Sequence, residues 1–369
     1  MSYYYTLRDN SIIPFVMTID TTIAGATAND TFKMPIVYNP NFTLDYGDGS
    51  TYKITSASDP NLTHQYASGG VYQIKIYGAL DYFAFQLITQ DNDKVISIDQ
   101  WGGNRWTTGP LFQNCSNVQG NWSDSPDLSI ATSIGSMFSQ CTSFNYPINF
   151  TSNTVTSAEY FLENCSSFDQ AISLDMPNML SLRGFVYECG VYNSTITFTD
   201  TSNVTDMHDM FHRCYLFNQS VSSIDTSSLV DAGSMFYYAS AFNKSVSHFS
   251  TGNVTNMNSM FYECDAFNQS VSHFLTSNVT DMSFMFNGDE AFNQDVSGWI
   301  IASLVTAQGM LSGASTWSTA NLDALLINWY AQPHLNNGNF SCNTSYTTGG
   351  AAEAGLNGLV ADGWTIQTS

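Results

Sequence analysis

The chain has 369 residues, of which 43% are hydrophobic and 14% aromatic, so it can bury a large core and is not disordered as a whole. Thirty-one acidic residues against 9 basic residues give a net charge of −22. A surface this anionic repels phosphate backbones and anionic lipid headgroups, so nucleic acid is excluded as a partner. No apolar run approaches the roughly 20 residues that cross a bilayer, and we expect no membrane insertion.

The N-terminal part of the chain has the alternating pattern that is typical of β-strands. The stretches FTLDYGDGSTYKI (42–54) and HQYASGGVYQIKIYG (64–78) surround turns that are rich in Gly and Asp. We therefore predict a small β-sandwich over residues 1–80. Residues 81–111, with the strand-like segments FAFQL and KVISI, are predicted to bridge this domain to a solenoid and to act as its N-terminal cap.

The central part of the chain repeats itself every 25 residues. We name the position that carries the first aromatic of each unit the anchor position, and Val186 and Leu311 occupy it in two units. Phe138 and Phe112 continue the series upstream at spacings of 23 and 26 residues. The regular anchor residues are Phe161, Phe211, Phe236, Phe261 and Phe286. A second aromatic series lies six residues further on and includes Phe217, Phe242, Phe267 and Phe292.

One unit, TGNVTNMNSMFYECDAFNQSVSHFL, spans residues 251–275. Its apolar spacing from Met257 to Cys264 suits two helical turns or a 3₁₀ segment, and NVT and SVS suit very short strands. A unit of this size cannot bury its own apolar face, so stacked units must share one core. The pattern predicts a solenoid over 81–317 that is mainly β with short helices.

Cysteine and asparagine follow the same repeat. Cys115, Cys141, Cys189, Cys214 and Cys264 lie three residues after the anchor position, and Cys165 lies four after it. Ala239 and Ala314 replace cysteine there, which indicates a small buried site filled by free thiols rather than by disulfides between coils. Cys342 lies outside the register. Asparagines after the second aromatic are predicted to form a ladder that satisfies turn backbone groups: Asn145, Asn193, Asn218, Asn243, Asn268 and Asn293.

Residues 318–369 are predicted to form a C-terminal helical cap over the last coil. Ser318 or Thr319 can cap a helix. A second short helix is predicted over 351–359. The first helix would present one apolar face made of Leu322, Leu325, Leu326, Trp329 and Tyr330.

The units TSNVTDMSFMFNGDEAFNQDVSGW (276–299) and TSNVTDMHDMFHRCYLFNQSVS (201–222) resemble the BspA-like leucine-rich repeat of bacterial surface proteins and mycoplasma lipoproteins. The segment from DYGDGS to VYQIKI resembles a PKD-type immunoglobulin-like domain. The resemblance implies an N-terminal Ig-like β-sandwich followed by a leucine-rich-repeat-like solenoid with a C-terminal helical cap. It also implies adhesion, matrix binding or surface display, with no catalytic residues to carry over.

Positions that vary between units are candidates for contact with a partner. Tyr237, Tyr238 and Tyr262 are predicted contact points, because tyrosine is favoured at interfaces, with partly buried rim residues as the alternative. His248 and His273 occupy equivalent positions in adjacent units, which stacking would place about 5 Å apart. A bound cation or a pH-sensitive spot is one interpretation of this pair, and two solvated side chains are the other.

Calcium is the one cofactor that we keep as a minor alternative to none. Asp45 and Asp48 in the DYGDGS turn could supply oxygen ligands, although turn formation is the interpretation that we favour. His208 and His212, four residues apart, fit two metal ligands without a third. A second set of oxygen ligands with the same two interpretations is the row Asp206, Asp231, Asn256 and Asp281.

No Walker loop, HExxH motif or nucleophile with its base stands out, so we predict no enzyme and keep a polysaccharide hydrolase as a remote alternative. The predicted function is structural or recognition work on an outer surface, with proteins or glycans as partners. The first residues lack a basic region followed by an apolar stretch. This leads us to expect a phage virion component, bound to capsid or fibre proteins, with a bacterial cell-surface adhesin as the alternative.

Overall fold

The computed structural model describes residues 13–37, 40–80, 82–85, 91–107 and 109–368. Residues 1–12 of the predicted N-terminal domain and the end of the FAFQL segment lie outside the described part. The chain is mainly β, with two α-helices among the described residues and a solenoid of stacked coils between its ends. No helix in the described ranges is long and apolar enough to span a membrane.

Two sheets form before and at the first coil. The larger has six strands in the order β4-β3-β6-β1-β7-β8, and β2 pairs with β5 in the smaller one. Phe42 lies opposite Ile54 in the antiparallel β3–β4 hairpin, which corresponds to the predicted 42–54 segment. The strands are β1 (Phe15–Asp20), β2 (Thr31–Lys33), β3 (Asn41–Asp45), β4 (Thr51–Ile54), β5 (Thr63–Gln65), β6 (Val71–Ala79), β7 (Val95–Gln100) and β8 (Gln119–Gly120).

Strand β7 joins these sheets to the solenoid. It lies in the predicted bridge, pairs antiparallel with β1 and pairs parallel with β8 of the first coil. Phe15 of β1 packs against Phe83, Trp106 and Phe112 at ring-centroid distances of 5.8, 5.3 and 6.3 Å. The N-terminal strands and the first coil therefore share one sheet and one aromatic core, while the boundary at residue 80 stays a prediction.

The coils stack with parallel strands and bridges. Three early coils contribute a parallel sheet of β9 (Ile148–Thr151), β10 (Ile172–Asp175) and β11 (Ile196–Phe198). A second column of single-residue parallel bridges continues along the whole solenoid. Its members are Ser133, Ser157, Ser181, Asp206, Asp231, Asn256, Asp281 and Thr306.

At the turn of each coil, the backbone amides alternate between hydrogen bonds within the turn and hydrogen bonds to the next coil. In the 251–275 unit the amides of Met260, Tyr262 and Cys264 donate to the carbonyl three residues earlier. Ser259 and Glu263, both with φ of 53°, have the left-handed backbone that allows this alternation. Neither of the two predicted alternatives, two helical turns or a 3₁₀ segment, forms here, because half of the amides leave the segment for the next coil. Those amides belong to Met257, Ser259, Phe261 and Glu263.

Two ladders of phenylalanine rings fill the interior. In the anchor position Phe211, Phe236, Phe261 and Phe286 follow one another at centroid distances of 5.3, 5.5 and 5.6 Å, with planes within 4° of parallel. The second ladder has distances of 5.9, 6.0 and 6.3 Å. All eight rings are buried. The second ladder consists of Phe217, Phe242, Phe267 and Phe292.

The structure corrects the register at one predicted anchor residue. The amide of Phe138 donates to the carbonyl of Phe161, and the amide of Leu162 donates to the carbonyl of Phe185. Anchor amides elsewhere donate to the residue just before the next anchor, so Leu162 occupies the anchor position and Phe161 precedes it. Phe161 is still buried and stacks on Phe185 at 5.4 Å. The shift also puts Cys165 three residues after its anchor, like the other repeat cysteines.

Polar side chains form ladders outside the rings. The Oδ1 atom of Asn218 accepts the amide of Asn243 at 3.1 Å, and Asn243 accepts the amide of Asn268 in the same way at 3.1 Å. Asn293 ends the series by accepting the amide of Ser318 at 3.0 Å. The asparagines thus satisfy turn amides of the following coil, as expected from their repeat.

One strand lies in the last coil, and two helices and two further strands follow it. Ser318 caps the first helix, because its Oγ accepts the amide of Asn321 at 3.3 Å. Leu322, Leu325, Leu326 and Trp329 are buried, whereas Tyr330 is 46% exposed and does not belong to the buried face. The strands form a parallel sheet. The elements are β12 (Ala307–Leu311), α1 (Thr319–Ala331), β13 (Asn339–Cys342), α2 (Ala351–Ala361) and β14 (Thr365–Gln367).

The left-handed positions give a stability test at Gln140, which is exposed and has φ of 62°. Gly288 and Gly313 occupy the equivalent position in other coils. We expect Gln140→Gly to be more stable than Gln140→Ala by about 1 kcal/mol, because a Cβ is strained in this backbone conformation. Denaturant unfolding of both variants measures the difference in free energy.

Asn357, exposed in the middle of α2, is the matched control. There the order should reverse, with Ala favoured over Gly by about 0.5 to 1 kcal/mol. If Ala is favoured at both positions, the left-handed conformation at Gln140 is contradicted.

Candidate functional site

The three predicted contact tyrosines form one cluster on the outside of the coils. Tyr237 and Tyr262 stack with centroids 4.6 Å apart and planes 14° from parallel. Tyr238 lies 4.9 Å from Tyr237 and 5.5 Å from Tyr262, turned by 66° and 52°. All three side chains are half-buried. The structure thus brings these residues together, and their contact with a partner stays a prediction.

The cluster continues into earlier coils as a stack that we name the aromatic spine: Tyr187, His212, Tyr237 and Tyr262. The imidazole of His212 lies between Tyr187 and Tyr237, at 4.4 Å from each ring. Sequence reasoning missed Tyr187 and considered His212 only as a metal ligand. The repeat spacing could have identified the whole spine, because each spine residue directly follows its anchor residue.

The turn geometry explains why these side chains face outward. The anchor ring points into the core, so the next residue lies on the opposite side of the turn and its amide closes the turn, as that of Tyr237 does on the carbonyl of Ser234 at 3.1 Å. The residue after it is left-handed, as at Tyr238 with φ of 55°. Stacking at the inter-coil distance then aligns the spine rings along the solenoid.

Next to the spine runs a column of left-handed residues, Glu188, Arg213, Tyr238 and Glu263. Glu188 and Arg213 form an ion pair, with Nη1 donating to Oε1 at 2.6 Å. This hydrogen bond raises the pKa of the Arg213 guanidinium. At the other end of the column, Glu263 is followed in the next coil by Gly288, which offers no side chain to pair with it.

Three carboxylates gather near that end, and we name them the acidic patch: Glu263, Asp265 and Glu290. Burial raises the pKa of Glu263, and repulsion from Asp265 and Glu290 raises it further. Burial and repulsion from Glu290 likewise raise the pKa of Asp265. The chain has no Lys or Arg after Lys244, and Arg213, whose charge acts on the neighbouring Tyr237, is already paired with Glu188.

Asp289 is a buried carboxyl that sequence reasoning missed. It lies three residues after Phe286, in the position that cysteine or alanine fills in other coils, and it is 0% exposed. Its Oδ1 accepts the amide of Cys264 at 2.6 Å, while Oδ2 is buried without a hydrogen-bond partner. Burial raises the pKa of this carboxyl well above its ordinary value, and Asp265 and Glu263 add repulsion.

The two histidines considered as metal ligands both contact the carboxylate of Asp209. His212 donates from Nδ1 to Oδ1 of Asp209 at 2.8 Å, and Nε2 of His208 lies 3.6 Å from Oδ2 of the same residue. His208 also donates from Nδ1 to the carbonyl of Gly233 at 2.9 Å. These contacts orient the His212 ring within the aromatic spine.

His248 and His273 make identical contacts in adjacent coils. Each donates from Nε2 to a backbone carbonyl of the preceding coil, Val221 and Val246 respectively, at 3.0 Å. Each ring also packs edge-on against the phenylalanine that follows it, at 4.8 and 4.9 Å. Their role in binding stays a prediction.

The oxygen rows considered for calcium act as turn formers in this structure. Asp231 Oδ1 accepts the amide of Gly233 at 2.9 Å, and Asp281 Oδ1 accepts that of Ser283 at 2.8 Å. Asp48 accepts the amide of Ser50 and also contacts His64 Nε2 at 2.8 Å. Within the described ranges, no group of three His, Cys, Asp or Glu side chains is arranged to hold a metal ion.

Comparison with known proteins gives one match, over the coils. The protein-family model described as "Mycoplasma protein of unknown function, DUF285" matches residues 107–197, 180–299 and 245–333. Together these matches cover more than half of the chain. Neither a curated protein nor a solved structure gives a significant match.

The buried carboxyl of Asp289 gives a stability test. Asp289→Cys and Asp289→Ala restore the residues found in this position elsewhere, and the amide of Cys264 keeps its bond to the carbonyl of Phe261 at 3.1 Å. We expect the free energy of unfolding of each variant to exceed that of the wild type by about 1 to 3 kcal/mol at neutral pH, because an unsatisfied buried polar group is removed. Denaturant unfolding measures the gain.

The gain should depend on pH with a fixed sign. The pKa of Asp289 is higher in the folded chain than in the unfolded chain. The wild type therefore loses stability relative to Asp289→Ala as the pH rises from about 4 through the raised pKa. A difference between the two proteins that stays constant from about pH 4 to about pH 9 would contradict the raised pKa.

Proposed function

Because the chain belongs to the DUF285 family, we propose that its solenoid is a non-catalytic recognition element that is displayed on an outer surface and binds a protein or a glycan through the aromatic spine. Four rings in successive coils give a continuous, half-buried contact surface whose composition differs from the regular core ladders. Tyrosine is enriched at interfaces, because its ring supplies apolar area and its hydroxyl supplies a hydrogen bond at low entropic cost. The spine is the observation that carries this proposal.

Rigidity of the scaffold supports the same function. Each spine residue follows a buried anchor side chain and closes a hydrogen-bonded turn, so the contact surface is ordered before any partner arrives. A surface that is ordered in advance loses less entropy on binding. We further interpret the N-terminal sheets as the PKD or immunoglobulin-like domain that would attach the solenoid, and α1 with α2 as its C-terminal cap.

The outer surface that we propose is that of a virus particle. All seven cysteines are free and buried, six of them in the repeat positions of the core. Unpaired thiols are usual in proteins that fold in a reducing compartment, whereas exported domains commonly form disulfides. A virion component folds inside the host and reaches the outside on the particle, so its thiols need not pair. Display on a bacterial cell envelope is the alternative.

The spine predicts a specific loss of binding for Tyr237→Leu. The probes are arrays of immobilised glycans and extracellular matrix proteins, scored by the apparent Kd of the labelled full chain. We expect affinity to fall about tenfold, as for removal of an interface aromatic. Tyr77→Leu, at an exposed tyrosine of β6, is the matched control and should bind like the wild type. Equal binding by all three proteins would contradict recognition through the spine.

Immunogold labelling locates the protein. Antibodies against the full chain are applied to intact cells that carry the gene and to the particles that these cells release. Label on the particles is the expected result. Label confined to the cell envelope would establish the alternative, and label confined to the cell interior would contradict display on either surface.

A further inference from the structure

The spine ends at a junction of rings and unneutralised carboxylates. Tyr238 is turned by 66° and 52° from the stacked pair Tyr237 and Tyr262, so its ring face is not used in the stack. Glu263 follows Tyr262 directly. Burial raises the pKa of both Tyr237 and Tyr262, and the charge of Glu263 adds to the rise, whereas Arg213 lowers the pKa of Tyr237. Three electron-rich rings and one carboxylate therefore lie within reach of a single ligand group.

The carboxylate of Glu263 is held at this place by the next coil. It lies over the backbone of Gly288, where a Cβ atom would come within 2.6 Å of the carboxylate carbon. Gly288 has φ of 79°, which suits glycine, and it leaves room for the glutamate side chain. The position of Glu263 is thus fixed by packing and not by an ion pair.

The contrast with Glu188 shows what is missing. Glu188, in the same column, has its charge balanced by Arg213 at 2.6 Å. Burial raises the pKa of Glu263, and its charged neighbours Asp265 and Glu290 raise it further by repulsion. Beneath them Asp289, fully buried with Oδ2 unpartnered, binds the amide between Glu263 and Asp265. Arg213, whose charge acts on Tyr237, is already paired with Glu188, so within the described residues no basic side chain forms a salt bridge with Glu263.

We propose that Tyr237, Tyr238, Tyr262 and Glu263 receive an arginine or lysine side chain of a basic partner protein. A cation over a tyrosine face is stabilised by the ring, and a carboxylate beside it adds a charge-assisted hydrogen bond. This inference rests on the proposed recognition function and names the partner as a cationic protein segment. Guanidinium fits better than ammonium, because its planar group can stack on a ring and bond a carboxylate at once.

The charge of the molecule supports this partner over an anionic one. With a net charge of −22, the chain attracts basic proteins over long range and repels acidic glycans. A neutral glycan can donate hydroxyl hydrogen bonds to Glu263 but leaves its charge uncompensated. The described side chains do not form a ready metal site at this place, so a protein cation is the occupant that uses both the rings and the charge.

The test uses the full chain and four labelled synthetic peptides of Gly and Ser, into which Arg, Lys, Gln or Glu is placed at the same positions. Fluorescence anisotropy gives each Kd at low ionic strength. We expect Arg to bind more tightly than Lys, and Gln and Glu peptides to bind at least tenfold more weakly than Arg, because only the cations pair with the patch. No binding of the Arg peptide, or equal binding of the Gln peptide, would overturn the inference.

Variants separate this patch from general electrostatic attraction. Glu263→Gln and Tyr262→Leu should each raise the Kd of the Arg peptide about threefold to tenfold, whereas Tyr262→Phe keeps the ring and should stay within about twofold of the wild type. Glu159→Gln removes the same charge from a half-buried glutamate four coils away and should also leave the Kd unchanged. Equal losses for Glu263→Gln and Glu159→Gln would show attraction by net charge alone and would refute the patch.

The failure of this inference differs from the failure of the proposed function. If the arrays show partners that depend on Tyr237 while the Arg peptide does not bind, recognition stands and the cationic partner is refuted. If the Arg peptide binds through Glu263 but the arrays show no dependence on Tyr237, the patch stands and the spine is refuted. Thermal unfolding of each variant, expected within a few degrees of the wild type, shows that the variants are folded.

Discussion

The solenoid depends on the amide groups that leave each turn for the following coil. Alternate amides from Met257 to Glu263 bond to the next coil, and this direction is available only because Ser259 and Glu263 are left-handed. A left-handed backbone costs about 1 to 2 kcal/mol for a residue with a Cβ. The coils accept this strain twice per unit, mostly without glycine, and stacking of buried rings offsets it. The strained turns therefore depend on the packing of the core rings, and the packing depends on the turns.

In-register bonding has a consequence for every exposed position. Because each coil repeats the backbone of the preceding coil, side chains at equivalent positions of the repeat form columns along the solenoid axis. A column of identical residues becomes a ladder, as the asparagines do by accepting amides of the next coil. A column of different residues becomes a surface whose chemistry changes along the axis. The aromatic spine and its neighbouring column belong to this second kind, so the chemistry of this surface can vary without disturbing the turn.

The sequence predicts the repeat, its core rings and the asparagine ladder, because these features recur with a fixed spacing. The left-handed turns could not be predicted, since residues such as Gln140 and Glu263 carry no glycine signature. The register at Phe161 was wrong by one residue because both the anchor position and the position before it accept a large apolar side chain. A spacing rule that tolerates 23 to 26 residues cannot distinguish them.

The candidate surface was predictable only in part, for a different reason. Tyr237, Tyr238 and Tyr262 were found from residue type, but Tyr187 and His212 join them only when successive coils are superposed. Asp289 was missed because an acid within a polar repeat reads as a surface residue, while its distance from Phe286 places it in the core. For Asp289, residue type predicts an exposed side chain and repeat position predicts a buried one. The repeat position is correct, since the backbone hydrogen bonds fix where each side chain points.

The charged residues are also unevenly distributed along the solenoid axis. Arg183 and Arg213 each pair with a carboxylate of a neighbouring coil, at 3.1 Å and 2.6 Å, and Lys244 is the last basic residue of the chain. From the 251–275 coil onward no Lys or Arg remains to pair with the acids, although His334 contacts Asp362 at 3.1 Å. Burial raises the pKa of Glu263 and Asp265, and repulsion among Glu263, Asp265 and Glu290 raises these values further. The cationic partner that we propose would relieve this repulsion at one end of the solenoid and not at the other, and the charge pattern would then give it both a place and a direction along the axis.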